Sequence, residues 1–215
     1  MPTTTDIREE ILRTAHDLVF ERGFTGTTVD AILDVTGASK GAFFHHFPSK
    51  GALGRALIER YAALDADVLE SHMARAEAAS ADPAEQMVAF IRAFEDDVDS
   101  GELTQPGCLF ASYVYEQIPE EAHSEEVILG AIALWRERIR EKLVAASEIH
   151  PQALDVDLDS LADHVWTVFE GGFVLARATK DQTRLRDQLA QLRHYLTLLF
   201  GLRQDGDGEG NRRKV

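Results

Sequence analysis

The chain is poor in everything that marks a secreted, membrane-spanning or disulfide-stapled protein. Cys108 is its one cysteine among 215 residues, so no internal disulfide can form, which agrees with a reducing compartment. No run of 18 or more apolar residues occurs, so no membrane span is expected. The opening MPTTTDIREE lacks the basic-then-apolar order of a signal peptide. The expectation is a chain that stays in the cytoplasm. Catalytic motifs are missing as well: there is no Gly-x-Ser-x-Gly, no P-loop, no zinc-ligand spacing and no Gly-x-Gly-x-x-Gly, and the carboxylates follow helical surface positions. Neither enzymatic activity nor a cofactor is expected. Internal repeats are also lacking, and the length suits one or two domains with a substantial core.

Positive charge is scarce overall, with 22 Lys and Arg against 37 Asp and Glu and a formal net charge of −15. That balance argues against a nucleic-acid partner until it is taken by region. Residues 38–60 carry Lys40, Lys50, Arg55 and Arg60 against Glu59 alone, a local net of +3. An acidic body with one basic tip docks on a polyanion only through the tip, and its non-specific affinity is weak and salt-sensitive.

What the tip contains is the most informative stretch of the chain, TTVDAILDVTGASKGAFFHHFPSK over Thr27 to Lys50. Apolar residues at Val29, Ile32 and Leu33, and again at Phe43, Phe44 and Phe47, predict two short helices joined by a tight turn at TGAS. Thr27 with Asp30 reads as a capping box starting the first helix at Thr28. Gly37 stands where the chain turns and a positive φ costs least. Ser39 caps the second helix, placing Lys40, Gly41 and Ala42 in its first turn, where small residues allow close approach to base edges and Lys40 offers a donor. Pro48 stops that helix, Ser49 caps the next, and Lys50 stands at its start as a phosphate contact. The plain alternative is a helical hairpin of an all-α core with both lysines on its solvated side; the Gly37-Ser39-Lys40-Gly41 run argues against it.

In these residues the chain resembles the N-terminal DNA-binding domain of the tetracycline-repressor-like (TetR) family. The family pattern is a threonine-led helix, Gly-x-Ser-Lys-Gly, an aromatic pair, His-x-Phe and Pro-Ser-Lys. Thr28, Gly37, Ser39, Lys40, Gly41, His46, Phe47, Pro48, Ser49 and Lys50 follow it in order, and the likeness covers roughly residues 6 to 60. Two positions depart from it: Phe44 replaces the usual tyrosine and so lacks a hydroxyl for phosphate, and Leu33 replaces a small residue at the helix crossing. The resemblance implies an all-α fold, a helix-turn-helix domain (1–48) followed by an effector-binding and dimerisation domain (49–201), about nine helices in all; the polar, glycine-rich tail (202–215) is expected from its composition to be disordered. The resemblance also implies a homodimeric transcriptional regulator, in the repressing sense, that binds a near-palindromic double-stranded DNA operator and is released by a small-molecule effector. The DNA-contacting residues implied are Thr27, Thr28, Ser39, Lys40, Gly41, Ala42, Phe44, His45, His46 and Lys50. A helical ligand-binding protein or enzyme retaining a vestigial hairpin is the rival.

Elsewhere the pattern predicts helices throughout. Asp6 with Glu9 reads as a capping box for a first helix over 6–22 that Gly23 ends. A long amphipathic helix runs from Ser49 towards Ala79, and Asp82-Pro83-Ala84-Glu85 supplies N-cap, proline at N1 and glutamate at N3 for another reaching about Val98. SGELTQPG is a loop; a short apolar helix then ends at Pro119, and Ser124 caps a longer one through Leu143. HPQALDVDLD is a linker. Gly171-Gly172 lies inside a helix, where each glycine costs roughly 1 kcal/mol, which is explained if another helix or a ligand comes close. Leu185, Leu189, Leu192, Leu196 and Leu199 recur at steps of 4, 3, 4 and 3, a heptad seam. A single chain of this size could bury the seam internally, but a symmetric four-helix bundle built from two chains is more economical, so with Gly172 these leucines are the expected dimer interface.

The resemblance implies an effector pocket, of which Phe94, Cys108, Phe110, Tyr113, Trp135, Trp166 and Phe169 are the expected lining, with Tyr113, Glu116 and His164 as polar groups able to orient a ligand. Each aromatic taken alone also suits plain core. Cys108 at a helix start has the position of a redox sensor, although a lone cysteine more often serves as a small buried hydrophobe. His45-His46 is not a metal site, because neighbours on a helix diverge by about 100° and no ligand stands one turn away.

Overall fold

The computed structural model describes residues 4–103, 107–116 and 122–203. Among the described residues there are nine helices and no strand: α1 (Thr4–Gly26), α2 (Val29–Thr36), α3 (Lys40–His46), α4 (Lys50–Ala79), α5 (Pro83–Ser100), α6 (Leu109–Glu116), α7 (Ala122–Ile149), α8 (Leu158–Thr179) and α9 (Thr183–Leu199). The chain divides into two compact units, one of Met1–Val68 with Gln105–Ala133, the other of Leu69–Thr104 with Leu134–Val215. This differs from a division at residue 48, because α4 and α7 each run through both units and the first unit gains α6.

In the first unit, α1 begins at Thr4, two residues before the expected cap, so Asp6 lies inside the helix. Its inward stripe, Ile11, Leu12, Ala15 and Val19, is almost fully buried. Regular helical backbone breaks at Gly23 (φ 78°, ψ 166°), and a last turn continues to Gly26. Ile32, Phe43, Phe47, Leu53, Leu57 and Ile58 are buried as well, and α1 packs on α2 and α3. α6 adds Leu109 and Phe110, whose ring meets Tyr61 edge-on at 4.8 Å. The expected stop at Pro119 lies outside the described residues. α7 starts at Ala122, so Ser124 is not its cap but a buried residue of its first turn.

In the second unit Asp82 caps α5 by accepting the Ala84 N–H at 2.9 Å, with Pro83 at N1. Asp157 caps α8 by accepting the Ser160 N–H at 2.7 Å. Arg138 of α7 reaches Glu70 and Glu77 of α4, and Lys142 reaches Glu77 at 2.7 Å.

The leucine seam corrects the expected dimer interface. Leu185, Leu189, Leu192, Leu196 and Leu199 are each at most 3% exposed and belong to the core of a single chain, where α9 packs on α5 and α8. Gly172 serves the same internal contact: a Cβ there would stand 2.5 Å from Leu185 Cδ1 and 3.3 Å from Leu185 Cα. The glycine therefore admits the close approach of α9 at Leu185. Burying a leucine contributes about 1.5–3 kcal/mol, so the seam is a main source of this unit's stability. The outward side of the pair carries other apolar residues, Val174 (60% exposed), Leu175 and Leu198 (65% exposed). Leu202 packs on the core just past α9; residues 204–215 of the expected tail lie outside the described residues.

Candidate nucleic-acid interface

The two short helices are set by local capping. Thr28 is the N-cap of α2, and its hydroxyl oxygen accepts the Ala31 N–H at 3.1 Å. The cap was expected at Thr27; that residue is instead 1% exposed, its hydroxyl donating to the Gly23 carbonyl at 2.8 Å. Thr27 thus braces the turn from within. Gly37 closes α2 in the left-handed region (φ 67°, ψ 7°) and donates its N–H to the Leu33 carbonyl at 2.8 Å. Ser39 caps α3 by accepting the Ala42 N–H at 3.1 Å, and Ser49 accepts the Ala52 N–H at 3.0 Å at the start of α4.

α3 is amphipathic in seven residues. Phe43 within it and Phe47 at its end are buried and pin it to the first unit, while Lys40, Gly41, Phe44 and His45 are exposed and Ala42 and His46 half-buried. Phe44 is 42% exposed. The outward side of α3 therefore carries a cation, two small residues, an aromatic ring and imidazoles. Without a phenol, Phe44 has only apolar contact to offer. His45 and His46 rings lie 5.1 Å apart at 68°.

Lys50 is built into the fold as well as facing the surface. Its ammonium donates to the Thr25 carbonyl at 3.3 Å and sits 4.5 Å above the Phe24 ring. Partial burial lowers its pKa, and the charge of Glu116 works against that shift. Glu116, at the end of α6, accepts the N–H groups of Phe24 at 2.7 Å and Thr25 at 2.6 Å. Burial pushes its carboxyl pKa up, but these hydrogen bonds and the Lys50 charge outweigh it and the net shift is downward. The carboxylate occupies the space beside Gly23, where a Cβ would come within 2.5 Å of Glu116 Oε1. One turn of α4 further on, Tyr113 donates to the Gly54 carbonyl at 2.9 Å, and a Cβ on Gly54 would meet Phe24 Cζ at 2.7 Å. Glu116 and Tyr113, expected to orient a ligand, thus turn to α1 and α4. No local pattern announces a carboxylate that binds amides 91 and 92 residues away.

The seven expected pocket residues fall in two places. Phe94, Trp135, Trp166 and Phe169 cluster in the second unit, with Phe94 and Phe169 rings 4.8 Å apart and Trp135 lying 5.6 Å from Trp166 and 5.5 Å from Phe169. His72 stacks on Phe94 at 4.1 Å and pairs with Asp97 at 2.8 Å. Cys108, Phe110 and Tyr113 are buried in the first unit, where burial, and next the neighbouring Cys108, raise the Tyr61 hydroxyl well above its ordinary range. His164 is exposed on α8.

Comparison with known proteins agrees with this architecture. Residues 11–57 match the bacterial regulatory proteins of the tetR family, and residues 83–191, half the chain, match the C-terminal domain of LmrA/YxaF-like transcriptional regulators. The transcriptional regulator AcuR of Cereibacter sphaeroides is 25% identical over 178 residues, 82% of this chain and 78% of its own. The repressor NemR of Escherichia coli K12 is 43% identical over 59 residues, 27% of this chain and 30% of its own. A TetR regulator from Chloroflexus aurantiacus J-10-FL superposes with a TM-score of 0.72 at 25% identity, covering 93% of this chain and 98% of that one. The capped helix pair with an exposed α3 and the two family matches lead to one conclusion: the chain belongs to the TetR family of DNA-binding transcriptional regulators.

Proposed function

We propose that the protein is a cytoplasmic, homodimeric repressor that seats α3 of each protomer in the major groove of a near-palindromic operator and leaves it when a small-molecule effector binds. The observation that carries this reading is the outward side of α3, with Lys40, Gly41, Phe44 and His45 presented by a helix that Ser39 and the buried Phe43 hold in place. Gly41 and Ala42 let the backbone approach base edges, Lys40 and His45 supply donors, and Phe44 offers apolar contact of the kind a thymine methyl accepts. Thr28, Ser39, His46 and Lys50 border this surface, and Lys50 neutralises a phosphate. The repressing sense is supported by relatives such as NemR and the Mycobacterium DhaR, each named a transcriptional repressor.

The dimer forms through the outward side of α8 and α9, replacing the buried leucine seam in that role. Gly171, Val174 and Leu175 make one helical stripe with open space above Gly171, and Leu198 adds to it from α9. Two copies carry their α3 helices into successive major grooves when these stand about one DNA turn, roughly 34–36 Å, apart. The effector binds at the cluster of Phe94, Trp135, Trp166 and Phe169, where the His72–Asp97 pair supplies a polar anchor among aromatic walls. Binding lowers DNA affinity by the same factor by which DNA lowers effector affinity. α4 is the lever: its 30 residues, about 45 Å long at roughly 1.5 Å each, begin at Lys50 and belong in part to each unit.

Selection of bound fragments from random genomic DNA tests the reading. Enrichment of a near-palindromic site whose half-sites are one turn apart is the expected result, and no enrichment at low salt overturns it. Both tryptophans of the chain lie in the proposed effector cluster, so candidate effectors are screened by intrinsic fluorescence.

A further inference from the structure

Away from the aromatic cluster, the second unit has a cavity of about 380 Å³ between α5, α9 and the end of α4. Its chemistry contrasts with the rest of the chain. In a protein of net charge −15, its walls carry Arg92, Arg193 and Arg203 against a single acid, Glu85. Glu85 already accepts a hydrogen bond from Ser80 Oγ at 2.6 Å. The floor is apolar, with Val88, Ala89 and Leu202.

Arg193 is held in place from behind. Glu95, itself buried, takes its Nε at 2.7 Å and Nη2 at 3.2 Å, which fixes the guanidinium plane and leaves Nη1 out of the pair. Arg92 lies one turn before Glu95 on α5, so Arg92 and Arg193 stand at the same level of the groove. From that level, α5 runs back through Val88 and Ala89 to Glu85, about 10 Å at two turns. Two guanidiniums at one end of an apolar trough match a carboxylate with a short hydrocarbon body. Arginine binds such a head through paired N–H donors, and a pocket in this size range encloses a small molecule.

We propose that this groove is a binding site for a small amphipathic organic anion, with the carboxylate between Arg92 and Arg193 and the hydrocarbon body along Val88, Ala89 and Leu202. The site is separate in residues from the proposed effector cluster and from the DNA-contacting surface, so it stands or falls independently of both.

Octanoate, octylamine and inorganic phosphate, titrated into the full chain at matched ionic strength, test the proposal by calorimetry and by methyl NMR of Val88, Ala89 and Leu202. Octanoate is expected to bind saturably and shift those methyls, while octylamine and phosphate bind at least about tenfold more weakly. Arg92→Gln and Arg203→Gln are expected to weaken octanoate by about tenfold and leave operator binding unchanged. Arg193 is left intact, since removing it strands the buried Glu95 charge. Should an arginine variant unfold, Ala89→Leu fills the trough without altering charge, and loss of octanoate binding is expected there too. Octylamine binding as tightly as octanoate overturns the anion preference, and phosphate doing so overturns the apolar body. Shifts confined to the tryptophan neighbourhood, or octanoate affinity untouched by both Arg92→Gln and Ala89→Leu, overturn the site itself.

Discussion

Removing the Glu116 carboxylate should loosen the turn that leads into α2. Its two acceptor contacts, 2.7 Å to Phe24 N–H and 2.6 Å to Thr25 N–H, are charge-assisted, a class that contributes about 1.5–3 kcal/mol each when desolvated. Both lie at a half-exposed position where water replaces part of the interaction, so Glu116→Ala should cost about 2 kcal/mol, and Glu116→Gln, which keeps an acceptor, about 1 kcal/mol. The sharpest assay is hydrogen exchange of the Phe24 and Thr25 amides: about 2 kcal/mol corresponds to roughly 30-fold faster exchange in the alanine variant. The pH dependence provides a second reading. The carboxyl pKa is held below its ordinary value in the folded chain, so its stabilisation is complete above the unfolded carboxyl pKa and disappears as pH falls through the lowered folded value. The stability gap between wild type and Glu116→Gln should be constant near neutrality and close under acid. Unchanged amide protection in Glu116→Ala, or a gap that widens as pH falls, would refute the argument.

Other substitutions separate roles that lie close together. Lys50→Ala should weaken binding to every duplex alike and reduce the salt slope by about one, whereas Ala42→Ser or His45→Ala should change which sequence is preferred, as competition binding would reveal. Leu189→Ala, in the buried seam, should destabilise by about 2–5 kcal/mol without altering oligomeric state, while Leu198→Glu should leave the monomer folded and dissociate the proposed dimer in sedimentation. Gly172→Ala must displace the Leu185 side chain and crowds its Cα, and should cost about 1–3 kcal/mol; Gly171→Ala, with nothing within 4 Å, should be neutral or stabilising by about 0.4–1 kcal/mol in thermal unfolding.

What could be inferred from the sequence was local. Gly37, Ser39, Pro48 and Ser49 act within four residues of themselves, so their types and spacing were enough to place α2, α3 and the start of α4. Thr27 and Thr28 are chemically identical neighbours, and only the fold decides that one caps α2 while the other is buried against Gly23. The leucine heptads identified the apolar side of α9 correctly, yet periodicity is silent on what covers a side: an internal α5 and α8 produce the same pattern as a second chain. In the sequence the aromatic residues form one set because composition carries no address, and the fold divides them between two units. Glu116 was visible as a polar residue on an apolar helix, but its partners on α1 are set by tertiary packing alone.

Lys50 joins these threads, because its ammonium is shared between the fold and the proposed DNA surface. A lysine has three donors; one goes to the Thr25 carbonyl, which leaves the others for a phosphate. Glu116 binds the same turn from the end of α6 and lends its negative charge to that neighbourhood, so it orders the entry to α2 while lowering the local attraction for a polyanion. The two effects respond differently to salt. Electrostatic attraction fades as counterions screen it, whereas the cost of a slack turn does not. Glu116→Gln should therefore bind DNA at least as well as wild type in dilute buffer and fall behind as salt rises, with the two affinity curves crossing. Parallel curves would mean that Glu116 acts through order alone, and that its charge plays no part in how the basic tip of an acidic chain meets DNA.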